Sequence, residues 1–202
     1  MASVEVERKE TVASAWDIAQ KVALSLKAKK LLTNELTPQE FIGRLIDESL
    51  YVDGLRFLPH TMPLRAAVWW ACLATEHVME HEETIEAEDL GALLAATDWC
   101  VEPSKANQEN ARIAGLDASV RTAAGCAAKA AFNAGSMSSP DSPLIPRSAV
   151  FAAKLSACSA LVGAVEIPGQ KLSKSYFEFL QLGIEVAANQ NEWFSQEERY
   201  GE

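Results

Sequence analysis

Histidine is scarce in this chain of 202 residues, glycine is scattered and cysteine never pairs, and each shortage removes a class of chemistry. Only His60, His77 and His81 are present, and none stands in a nucleophile context such as G-x-S-x-G. Serine or cysteine nucleophile catalysis therefore has no recognisable base. The ten glycines form no glycine-rich turn after a strand, so the chain offers no phosphate cradle. Cys72, Cys100, Cys126 and Cys158 stand singly, with no CxxC pair and no histidine at ligand spacing. They read as four small buried apolar side chains in a reducing compartment, with a disulfide or metal role as the alternative.

Positive charge is short as well. Eighteen Lys and Arg face 28 Asp and Glu, giving a net charge of -10 and a pI near 4.9. Such a field repels phosphate backbones and anionic lipid, so neither nucleic acid nor a membrane surface is an expected partner. No apolar run is read as approaching the roughly 18 residues of a membrane span. The opening Met1-Ala2-Ser3-Val4-Glu5 has no basic stretch leading into an apolar one, so no signal peptide is read. The expected location is the cytoplasm, and no cofactor is implied.

What the chain has in quantity is alanine at helical spacing. Alanine dominates 122–134 and 149–164, strict β alternation is absent, and 49% of residues are hydrophobic. The expected fold is all-α, a bundle of seven or eight helices forming one domain over 11–188. Residues 1–10 are expected to be loosely held and 189–202 to form a polar tail. The tail's Trp193, Phe194 and Tyr200 suit either a short recognition element or a segment folded back on the body.

The first helix is expected from about Val12 to Leu32, with Trp16, Ala19, Ala23 and Leu26 beside Ile18, Val22 and Leu24 on a broad apolar face. Thr37, Pro38 and Glu40 make a capping box that starts a second helix, Gln39 to about Tyr51. Its inner face is expected to carry Phe41, Ile42, Leu45, Ile46 and Ser49. Gly54 to Pro63 reads as a turn, with His60 a loop histidine. A third helix, Pro63 to about His81, is apolar nearly all round and should lie centrally. A fourth runs from Glu86 to Val101 with Leu90, Leu93, Leu94 and Trp99 inward, and Pro103 ends it. Ser104 caps a fifth helix reaching Leu116, and Asp117 is expected to cap a sixth, Ala118 to Ala134. The sequence GSMSSPDSPLIP at 135–146 reads as a loop that divides one domain or joins two packed helical halves. Helices at about 147–165 and 173–188 complete the bundle.

One motif carries explicit chemistry. His77-Val78-Met79-Glu80-His81 fits H-x-x-E-H, in which two histidines one helical turn apart bind zinc and the glutamate activates water. A zinc-dependent hydrolase using His77, Glu80 and His81 is therefore an alternative, although no third ligand is distinctive in the sequence. The other reading is a polar helix terminus, where histidine complements the helix dipole. The acidic stretch from Glu76 to Asp89, with Glu82, Glu83 and Glu86 at its centre, is a solvated face or a docking surface for a basic partner. Adjacent Trp69 and Trp70 point about 100° apart on a helix, so either both fill the core or one fills it while the other lines a partner groove. Arg65, one turn earlier, is placed to stack on Trp69.

Leu58-Pro59-His60 leading through Leu64-Arg65-Ala66-Ala67-Val68-Trp69-Trp70-Ala71-Cys72-Leu73 resembles the LPRREAVWWAC signature of an uncharacterised bacterial family of unknown function. The Thr37-Pro38-Gln39-Glu40 box and the Pro-rich loop followed by two helices extend the resemblance over most of 30–190. The chain departs from the signature at His60, Thr61, Met62 and Ala66, which removes any role for the charges usual there. The resemblance implies a cytoplasmic adaptor, chaperone or accessory component encoded beside type VI secretion genes. The expected function is protein–protein interaction, with a secretion-system component or effector as partner and Arg65, Trp69, Trp70, Glu82, Glu83 and Glu86 as the binding residues. A small-molecule-binding helical sensor is the remaining alternative.

Overall fold

The computed structural model describes residues 13–135 and 146–189. Among them ten α-helices form and no strand does, so the helical bundle expected from the alanine-rich sequence is what the chain adopts. The helices are α1 (Ala15–Ala19), α2 (Leu26–Leu31), α3 (Pro38–Asp47), α4 (Tyr51–Phe57), α5 (Leu64–Met79), α6 (Ala87–Val101), α7 (Lys105–Asp117), α8 (Ala123–Gly135), α9 (Pro146–Glu166) and α10 (Leu172–Ala187). The expectations for residues 1–10, for the loop at 136–145 and for the tail beyond Asn189 lie outside the described residues.

The count exceeds eight for two reasons. The expected first helix is split into α1 and α2. Ser25 caps α2 by accepting the Ala28 N–H, while its own N–H and hydroxyl donate to the two carboxylate oxygens of Asp53 at 2.7 and 2.8 Å. A residue with extended backbone and both polar groups engaged cannot continue α1. The break re-aims the face, so Trp16 is 45% and Leu26 79% exposed, while Ile18, Ala19, Val22 and Leu24 are buried as expected, together with Ala15 and Ala28. Tyr51–Phe57, where a turn was expected from Gly54, is the second addition. Gly54 marks a close approach, because a Cβ there would meet Leu180 Cδ2 at 2.8 Å.

Elsewhere the sequence signals hold. The Thr37 capping box forms, and Ser104 accepts the Asn107 N–H at the head of α7. Asp117, however, belongs to the last turn of α7. Ser119 takes a left-handed φ of 70°, and Thr122 accepts the Gly125 N–H, so Thr122 and not Asp117 starts α8.

α5 lies centrally, packed on α6, α8, α9 and α10, and Val68, Trp69, Trp70, Ala71 and Cys72 are all buried. α8 is nearly solid small residues, which lets α9, α7, α6 and α5 pack against it. One contiguous core runs from Ala15 to Val186 and draws on helices either side of 136–145. A polar knot fastens its centre. Thr75 donates to the Ala71 carbonyl, Ser159 donates to the Ala123 carbonyl at 2.9 Å, and the two hydroxyls meet at 3.1 Å, joining α5, α8 and α9. Satisfied buried polar groups of this kind fix one packing over alternatives.

By length and composition α9 is apolar enough to cross a membrane over Ala149–Glu166, although half of that window is buried in the bundle. Cys72, Cys100 and Cys126 are buried as expected, but Cys158 is exposed on the outer side of α9, and all four are free. Leu90, expected inside, is exposed at the head of α6.

Candidate interaction groove

The expected binding residues divide into those the fold consumes and those it presents. Trp69 and Trp70, at 1% and 0% exposure, both fill the core, so neither indole forms an outer wall. The Trp70 indole N–H donates to the Phe179 carbonyl at 2.9 Å, which docks α10 onto α5. Arg65 donates from Nε to the Cys100 carbonyl and from Nη2 to the Val101 carbonyl, the latter at 2.8 Å. A guanidinium on the last carbonyls of α6 neutralises the negative end of that helix and ties it to α5. Burial pushes the neighbouring Cys100 thiol well above the usual cysteine range, with the Cys72 thiol adding to the effect.

His77, by contrast, reaches the surface. It lies in the last turn of α5, with its ring edge-on to Phe179 at 5.6 Å and tilted against His81 at 4.8 Å. Its Nδ1 is 3.7 Å from Glu80, and His81 Nδ1 lies 2.8 Å from the His77 carbonyl, an arrangement in which His81 donates. The H-x-x-E-H segment is thus a partly exposed turn, with Val78 buried, whose polar atoms contact one another. Among the described residues, no group of three or more His, Cys, Asp or Glu side chains is placed to hold a metal ion.

The groove begins at His77 and runs along α10, lined by Phe177, Glu178, Phe179, Gln181, Leu182 and Glu185, with a volume of about 300 Å³. Phe177, Gln181 and Glu185 recur four residues apart, so one stripe of α10 makes the wall. Phe177 is braced from behind by Tyr51 of α4, ring to ring at 5.4 Å. Glu178 is held by Gln170 at 2.6 Å and Lys174 at 3.4 Å, which leaves the apolar lining dominant.

At the His77 end the groove meets the acidic turn. Residues 80–88 are exposed without interruption, Ile85 among the glutamates. Glu82, Glu83, Glu86 and Glu88 make no ion pair with a lysine or arginine among the described residues. Asp89 is occupied, accepting the Thr122 hydroxyl at 2.6 Å. Glu166, at the end of α9, closes the cluster: burial, then the charges of Glu82 and Asp89, raise its carboxyl above the usual range against the lowering bond from the Ala123 N–H.

Sequence reasoning found the acidic turn and His77 but missed the α10 wall. Tyr176, Phe177 and Phe179 look alike in sequence. Which of them stays half-open depends on where α5 ends, and only the folded packing sets that. Asp53 was missed too, because its partner Ser25 is 28 residues away.

An all-helical bundle with an open groove at one corner defines a class of architecture and not an activity. Residues 41–187 match a family of unknown function, DUF6931, and the chain belongs to that family. It matches no curated protein and no solved structure.

Proposed function

We propose that the chain is a non-enzymatic protein–protein interaction module, an adaptor or accessory factor that engages its partner at the corner where α5, α10 and the 80–88 turn meet. The observation carrying this reading is the juxtaposition of an apolar groove of about 300 Å³ with an exposed acidic turn whose Glu82, Glu83, Glu86 and Glu88 pair with no lysine or arginine among the described residues. Contiguous apolar surface rimmed by charge is what interaction sites present. The resemblance of the Leu58–Leu73 segment supports a bacterial secretion setting, with a secretion-system component or effector as the partner and the cytoplasm as its location.

Arg65, Trp69 and Trp70 serve this reading indirectly, by fixing α6 and α10 on α5. Glu82, Glu83 and Glu86 serve it directly. Affinity purification of the full chain from its native host, with mass spectrometry, tests it: a secretion component or effector recovered in stoichiometric complex is expected. Recovery of the chain alone, with stoichiometric zinc and a hydrolytic activity abolished by His77→Ala, would overturn it in favour of the metalloenzyme.

A further inference from the structure

We infer that the groove receives one face of a basic, amphipathic partner helix, with an aromatic or long aliphatic anchor against Phe177 and Leu182 and lysines or arginines over Glu82, Glu83 and Glu86. The inference rests on the interaction-module reading and names the chemistry of the partner.

Size points to a side-chain anchor. Pockets for whole small molecules run from roughly 300 to 1,000 Å³, and this groove sits at the bottom of that range. Its walls are an aromatic ring, a leucine and the aliphatic stems of Gln181 and Glu185, the surroundings that a buried tryptophan or leucine anchor prefers. Being walled by a helix stripe, the groove suits a second helix laid alongside, anchored at i, i+3 or i+4, and i+7.

Charge selects the occupant. Glu178 already has Lys174, so the partner's cations are not needed in the groove itself. They are needed one turn further along, where His77 joins the groove to a turn whose Glu82, Glu83 and Glu86 pair with no lysine or arginine among the described residues. The chain's own segment 190–202 carries Trp193 and Phe194, but Glu192, Glu197, Glu198 and Glu202 outnumber its one cation, Arg199. Its charge opposes the acidic turn, so the occupant comes from another chain.

The test is fluorescence anisotropy of the full chain against a labelled synthetic helix that has leucine and tryptophan on one face and lysine on the other. Saturable one-to-one binding is expected, weakened at least about tenfold by the triple change Glu82→Lys, Glu83→Lys, Glu86→Lys and by Leu182→Glu. The same binding should weaken several-fold between about 50 and about 300 mM NaCl. Should Leu182→Glu fail to fold by circular dichroism, Gln181→Trp, which fills the groove from its half-open side, replaces it. Removal of 190–202 should leave the affinity within about twofold. No saturable binding overturns the inference, as does equal binding of the same peptide with glutamate in place of lysine, or indifference to the groove variants. A gain of about tenfold on removing 190–202 also overturns it and makes the tail the occupant. A native partner that tolerates all these variants leaves the interaction module standing and removes only the groove, whereas the absence of any native partner removes the module.

Discussion

Trp70 joins α10 to α5 through one buried bond from its indole N–H to the Phe179 carbonyl, and that bond sets how far the groove wall stands from His77. Trp70→Phe keeps most of the apolar volume and loses the donor. It should cost about 1–3 kcal/mol in urea unfolding and weaken ligand binding at the groove as α10 loosens. His60 is a second informative residue. Its Nε2 is buried without a hydrogen-bond partner, and burial, with the charges of Lys154 and Lys21, pushes its pKa down from 6.5 to about 4. The folded chain therefore holds His60 neutral where the unfolded chain would protonate it. Stability contributed by this group is complete above about pH 6.5 and is lost as the pH falls toward about 4. His60→Leu should flatten that part of a plot of Tm against pH, and an unchanged slope would contradict the assignment. Glu166 has the opposite sign. Its raised carboxyl pKa means the folded state favours the proton, so its contribution is present at acid pH and lost as the pH rises through the folded value. Glu166→Gln should raise Tm at pH 7 by roughly 1–2 °C, the shift that about half a kcal/mol produces in a chain of this size, and the gain should vanish at acid pH.

At the scale of elements, what could be read in advance was whatever is encoded within one turn of chain. The Thr37-Pro38-Gln39-Glu40 box, the Ser104 cap and the Pro103 stop are local chemistry, and α3, α6 and α7 begin or end at them within a residue or two. The split between α1 and α2 is not local. Periodicity through Trp16, Ala19, Ala23 and Leu26 argues for one helix, and the side chain that breaks it, Asp53, arrives from α4. Gly54 misled for the same reason: it serves the approach of Leu180 and not a turn. Asp53→Ala should therefore leave the Ser25 N–H without an acceptor and cost about 1–3 kcal/mol. Hydrogen exchange should show the loss of protection concentrated at α1 and α2, and uniform weakening across the bundle would contradict a local clasp. The candidate site divides along the same line. The acidic turn is a contiguous run of sequence and was legible. The α10 wall exists only because the last turn of α5 sets His77 against Phe179, an adjacency between residues about a hundred positions apart.

For the whole molecule, the functional reading turns on asymmetry. The main core runs from Ala15 to Val186, and the small residues of α8 let four helices pack against it. Negative charge gathers at one corner, where the α5–α6 turn and the end of α9 converge and Glu82, Asp89 and Glu166 face each other. A net charge of -10 favours the approach of cationic over anionic surfaces. The most direct measurement is backbone amide chemical-shift mapping on the full chain titrated with the lysine-and-leucine helix. The account predicts shifts concentrated at His77, along Phe177–Glu185 and through residues 80–88. Shifts centred instead on the exposed apolar side chains Ile113, Leu116 and Val120, or none at saturating peptide, would contradict it.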